Sequence, residues 1–159
     1  MARRFSTAFA AALVSVFVLG ITVLAADSNI GTWKMNVAKS KFSPGPAPKS
    51  QTLKIEAWGP DGVKFTADGV DGDGKPSHWE LQAKYDGKFV PFKGNPDADM
   101  LAYKRIDANT VEASTTLKGK PSGSTKIVVS ADGKTRTLTQ TGTNAKGETI
   151  NNVIVYDKQ

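Results

Sequence analysis

Across residues 52–156 apolar and polar side chains alternate with a period of two, and Gly-containing turns interrupt the alternation about every ten residues. This pattern sends successive side chains to opposite faces and predicts strands joined as an antiparallel meander. Leu53, Ile55 and Ala57 share one face; Gly59-Pro60-Asp61-Gly62 then turns the chain into Val63, Phe65 and Ala67. After a glycine-rich hairpin over residues 68–75, Trp79, Leu81, Ala83 and Tyr85 alternate with His78, Glu80, Gln82 and Lys84, the cleanest amphipathic strand of the set. Residues 88–93 form a short strand that Pro91 confines to a gap or an edge. Further strands are predicted over 100–106, 110–117, 126–130, 134–141 and 149–156, with a loop at 94–99. No helix of ordinary length fits this stretch.

Before the meander, Ile30-Gly31-Thr32-Trp33-Lys34-Met35-Asn36 supplies one more strand, about ten in all. Trp33 is expected to plug one end of the structure, with Gly31 beside it as a second structural residue. Asn36 is placed to cap a short helical turn whose Val37 and Phe42 face inward. Pro44, Pro46 and Pro48 then favour an extended strap across one end of the domain and exclude a central strand. Six Asp-Gly pairs, beginning at 61, 68, 71, 73, 86 and 132, supply residues that tolerate the positive φ of tight hairpins. A meander of this many strands is best closed into a barrel, because closure removes edges that would otherwise aggregate. The expected fold is therefore all-β, a single antiparallel meander barrel of about 8–10 strands.

Composition adds the compartment. Arg3 and Arg4, an apolar run over residues 8–19 and the small residues Val23 and Ala25 form a secretory signal peptide, cleaved after Ala25 or Ala26. The competing reading is an uncleaved membrane anchor, since residues 8–26 nearly suffice to span a bilayer. The domain organisation is thus a leader over 1–26 and one barrel over 27–159, exported to the periplasm or beyond and monomeric. Without Arg3 and Arg4 the 21 basic residues become 19 against 15 acidic ones, a net +4. The lysines are scattered singly, which suits solvated strand faces and not a nucleic-acid groove. There is no cysteine, so a disulfide framework and a thiolate metal site are excluded.

Three sets of residues carry the resemblance to a known group. Gly31-Thr32-Trp33-Lys34 resembles the N-terminal Gly-x-Trp motif of the lipocalins and fatty-acid-binding proteins. Asp132-Gly133-Lys134-Thr135 with Leu138-Thr139-Gln140 resembles the late hairpin of the fatty-acid binders, and residues 151–158 resemble their terminal strand. The chain is also similar to small exported bacterial proteins. The resemblance implies a barrel that binds a small apolar molecule inside. Two departures accompany it. The fatty-acid binders place two helices between their first two strands, where this chain has a turn and the proline strap. Their terminal-strand Arg, two residues before the Tyr, is here Ile154. In the lipocalins a late-strand Arg packs over the Trp, for which Arg136 and Arg105 are the candidates.

The inward positions of the alternating strands nominate Phe65, Trp79, Leu81, Tyr103, Val129 and Leu138, together with Arg136, as the lining of an interior ligand site. Thr135, Thr137, Thr139 and Thr141 form one face of their strand and Arg136, Leu138 and Gln140 the other, so either face turned inward makes that wall partly polar. His78, the sole histidine, alternates with Trp79 and is expected on the outside, without a catalytic role. Asp68, Asp71 and Asp73 fail the spacing of a calcium loop, because Lys75 and Gln82 fall where ligands are needed; a hairpin tip is expected instead. No catalytic residue, metal or cofactor is expected. The leading function is non-enzymatic binding of a small hydrophobic or amphipathic ligand. The alternative is a cell-envelope interaction protein with a solid core and a mildly basic surface.

Overall fold

A computed structural model describes residues 27–159; the expected leader lies outside the described residues. Ten strands follow one another as β1 (Gly31–Met35), β2 (Ser50–Ala57), β3 (Gly62–Val70), β4 (Pro76–Lys84) and β5 (Val90–Pro91), then β6 (Met100–Arg105), β7 (Thr110–Leu117), β8 (Lys120–Val129), β9 (Thr135–Thr143) and β10 (Thr149–Lys158). Each pairs antiparallel with its sequence neighbours, except at the β4–β5 step, and β1 also pairs with β10, so the order around the sheet is β4-β3-β2-β1-β10-β9-β8-β7-β6-β5. The seam between β4 and β5 is closed by one backbone bridge. Glu80 N–H donates to Lys93 O at 3.1 Å and Lys93 N–H to Glu80 O at 3.0 Å, while Lys93 Nζ pairs with Glu80 Oε1 at 3.1 Å. Gly94 (φ +81°) lies so close to the His78 carbonyl that any side chain there would force the seam apart. The result is an all-β antiparallel meander in a near-closed barrel, as the alternation predicts.

The alternating apolar residues point inward and form one core that includes Leu53, Ile55, Phe65, Leu81, Ile127 and Tyr156. Trp33 closes one end and is fully buried. Its indole N–H donates to Asn29 O at 2.9 Å, and Lys158 Nζ stands 4.9 Å from the ring centre. The cation over the Trp is therefore a lysine of β10. Of the two arginines expected in that place, Arg105 stacks on Tyr85 at 3.8 Å instead, and Arg136 turns into the barrel, because the β9 register directs even-numbered residues inward.

Three further expectations need correction. Val37 sits on a single 3₁₀ turn (Val37–Lys39) capped by Asn36 Oδ1, which accepts from Lys39 N–H; that turn lies outside the barrel wall, leaving Val37 42% exposed. Phe42, by contrast, packs against the core. Strand β8 begins at Lys120, earlier than alternation suggests. The turn at Lys118 (φ +51°) and Gly119 (φ +74°) has the positive angles of a two-residue hairpin, and the register shifts between Thr115 and Thr116 so that Ser122 is an extra residue. Finally, only three of the six Asp-Gly glycines, Gly74, Gly87 and Gly133, adopt positive φ. Gly62 and Gly69 lie inside β3, where a Cβ would collide with neighbouring backbone.

Candidate ligand-binding site

Between the walls lies a cavity of about 310 Å³, at the small end of the range for small-molecule sites. Its mouth is at the end where the β3–β4 turn, the β5–β6 loop, the β9–β10 turn and the proline strap line it; Trp33 is not among the lining residues. Five of the residues nominated from sequence line it: Phe65, Trp79, Tyr103, Arg136 and Leu138. Leu81 and Val129 are 4% and 1% exposed, but they pack within the solid part of the core and do not line the cavity. On β9 the face of Arg136, Leu138 and Gln140 turns inward and the threonines turn out.

The apolar wall is built from Phe65, Trp79 and Phe92, which meet edge to face at centroid separations of 6.2 and 6.1 Å. The polar wall is built around Arg136, 3% exposed. Its Nε donates to Asn29 Oδ1 over a long 3.4 Å, and its Nη1 is buried without a partner. Among the described residues no carboxylate forms an ion pair with it. Tyr103 and Tyr156 stand near this guanidinium: burial pushes both phenols well above their ordinary value, while Arg136 pulls weakly the other way. Both therefore stay protonated at neutral pH, and the Tyr156 hydroxyl donates to Gln51 Oε1. A buried cation without an anion costs several kcal/mol, a cost that a negatively charged group in the cavity would offset.

Alternation does not reveal three other contributors. Ser122 reaches the interior through the β8 bulge and donates to Thr115 Oγ1 at 3.0 Å; Pro121 and Gly123 on either side were its only signal. Gln51 and Thr125 are polar residues at inward positions, buried to 5% and 9%. Pro44, Pro46 and Pro48 roof the mouth. The outward residues stay outward: His78 is exposed and its Nδ1 lies 2.6 Å from Asp68 Oδ1, which holds the imidazole above its usual pKa. Asp71 caps the β3–β4 turn by accepting from Lys75 N–H at 2.8 Å.

No protein-family model and no curated protein sequence matches the chain. Solved structures do. The crystal structure of wild-type UnaG, a fluorescent protein, is similar with a TM-score of 0.54 at 13% identity, over 83% of this chain and 98% of that one. Zebrafish ileal bile-acid-binding protein, complexed with cholic acid, has a TM-score of 0.50 at 12% identity over 83% of this chain and 99% of its own. The chain shares the fold of these two barrels. At these identities the likeness speaks for the fold, and the site rests on this chain's own residues. Between its first two strands this barrel has only the 3₁₀ turn and the strap, and Ile154, two residues before Tyr156, lines its cavity.

Proposed function

We propose that this protein is an exported, non-enzymatic binder of one small amphipathic molecule, held with its acidic group on Arg136 and its apolar body along Phe65, Trp79, Phe92 and Leu138. One observation carries the reading: Arg136, a buried guanidinium with an unpartnered Nη1, lines a cavity of about 310 Å³ whose walls are otherwise largely apolar. An acidic ligand supplies the missing anion, and charge-assisted hydrogen bonds of this kind contribute about 1.5–3 kcal/mol each. One of the two structural neighbours is a bile-acid-binding protein solved with cholic acid, which supports the reading. A solid-core envelope protein leaves the cavity and the unpaired charge without a role. Export is supported by the basic, then apolar, then small-residue order of residues 1–26; intact mass of the protein from its producing cell should give a chain starting at Ala26 or Asp27, and a full-length chain in the membrane fraction would argue for an anchor.

Anilinonaphthalenesulfonate, an aromatic probe with one negative charge, tests the site. It should bind at about one per molecule. Leu138→Trp fills the cavity and should abolish uptake with little loss of stability, whereas Leu81→Trp, in the packed core, should cost about 1–3 kcal/mol. Uptake unchanged by Leu138→Trp would place the probe elsewhere and refute the assignment.

A further inference from the structure

The strand walls of the cavity are hydrogen-bonded side to side, and loop residues Asn95, Asp97 and Asn144 line it together with the strap prolines Pro44, Pro46 and Pro48, so the loops and the strap are the parts that can yield when a ligand exchanges. Three loops at the mouth are tied to one another. Asp97 Oδ1 in the β5–β6 loop accepts from Ala145 N–H of the β9–β10 turn at 2.9 Å. Asp99 Oδ2 accepts from Lys118 N–H of the β7–β8 turn at 2.7 Å. The seam beside them carries the Glu80–Lys93 bridge.

The strap differs. Its ends are fixed: Asn151 N–H donates to Ser43 O at 2.8 Å and Lys49 N–H to Val70 O at 2.9 Å, and Ser43 N–H donates to Asn152 Oδ1 at 2.9 Å. Between these anchors, among the described residues, positions 44–48 make no hydrogen bond, and three of the five are prolines with no N–H to offer. What meets the middle of the strap is Gly72, on the β3–β4 turn. A Cβ at Gly72 would lie 2.5 Å from Pro46 Cγ and 2.9 Å from Pro46 Cβ. Gly72 does not have the positive φ that would call for glycine; the close seat of Pro46 does.

We propose that residues 44–48 are the gate of the cavity, hinged at Ser43 and Lys49 and latched by Pro46 seated on Gly72, and that ligand enters and leaves by lifting this strap. The proposal rests on the binding reading above. A hinged cover held by apolar contact alone opens without breaking any strand pairing, and the fixed φ of its three prolines limits how far its backbone flexes.

Because the chain has no cysteine, Pro46→Cys with Gly72→Cys introduces one unambiguous pair; the Cβ positions lie 2.9 Å apart, closer than the roughly 3.5–4.5 Å of a disulfide, so the strap shifts outward slightly as the bond forms. Stopped-flow exchange of anilinonaphthalenesulfonate is measured on the oxidised and reduced forms of this one variant. Association and dissociation should both slow by about tenfold or more on oxidation and recover on reduction. Gly72→Val, which unseats Pro46, should speed release several-fold and serves alone if the double variant does not fold. Equal rates for the oxidised and reduced forms, or unchanged release from Gly72→Val, would overturn the gate while leaving binding intact. A wild-type protein that takes up no probe would overturn the binding reading and the gate with it.

Discussion

Asp27 is the residue on which most side-chain interactions at the closed end converge. Its carboxylate accepts from Arg105 Nη2 at 2.7 Å, from the Tyr85 hydroxyl at 2.8 Å and from Asn29 N–H at 3.0 Å. Burial pushes its pKa up, but Arg105, then Asn29 and Tyr85, outweigh burial and hold it below the ordinary carboxylate value. A carboxyl with a depressed folded-state pKa contributes stability that is complete above its unfolded value, near 4, and is lost as pH falls through the folded value. Urea midpoints between neutral and strongly acid pH should therefore fall below about pH 4 in the wild type and fall less steeply in Asp27→Asn, which should start lower at neutral pH. Parallel curves for the two proteins would show that Asp27 is not coupled to folding. None of this is legible in the sequence, because Asp27 belongs to no alternating segment and its partners are 58 and 78 residues away. Arg136 is half legible: β-periodicity opposes it to the threonines, but only the packing shows that no carboxylate among the described residues neutralises it.

Strands were the legible elements, since each buries one face and so writes its register into the spacing of apolar residues. The inward placement of Phe65 and Leu81 and the outward placement of His78 follow directly from that spacing, while the pairing of Phe65 with Leu81 across β3 and β4 is seen only in the structure. Where periodicity fails the reading fails too. The first half of β8 carries Pro121 and Gly123 and a bulge, and Val37 belongs to a turn outside the wall. At the closed end, Trp33 is held between β2 and β10 by its register with Leu53 and Lys158, and it joins the core to the Asn29 backbone. Trp33→Ala should cost on the order of 3–5 kcal/mol, leaving a domain of ordinary stability largely unfolded. A melting temperature within a few degrees of wild type would contradict its role as the plug.

For the whole molecule, closure was readable and hollowness was not. Ten alternating strands with no other way to satisfy their edges lead to a barrel, but the volume left inside depends on how far aromatic rings such as Phe65, Trp79 and Phe92 fill it, which no local pattern encodes. Arg136 puts one positive charge in the wall of that space, and the proposed function gives that charge a partner borne by the ligand. Calorimetric titration of the wild type and of Arg136→Met with a medium-chain carboxylic acid, and with the alcohol of equal chain length, examines this directly. The wild type should bind the acid at about one per molecule and at least about tenfold more tightly than the alcohol. Arg136→Met should erase the preference while the empty protein stays as stable or becomes more so, since an unpaired buried charge has been removed. Equal affinity of the wild type for acid and alcohol, or an acid preference that survives Arg136→Met, would contradict the account.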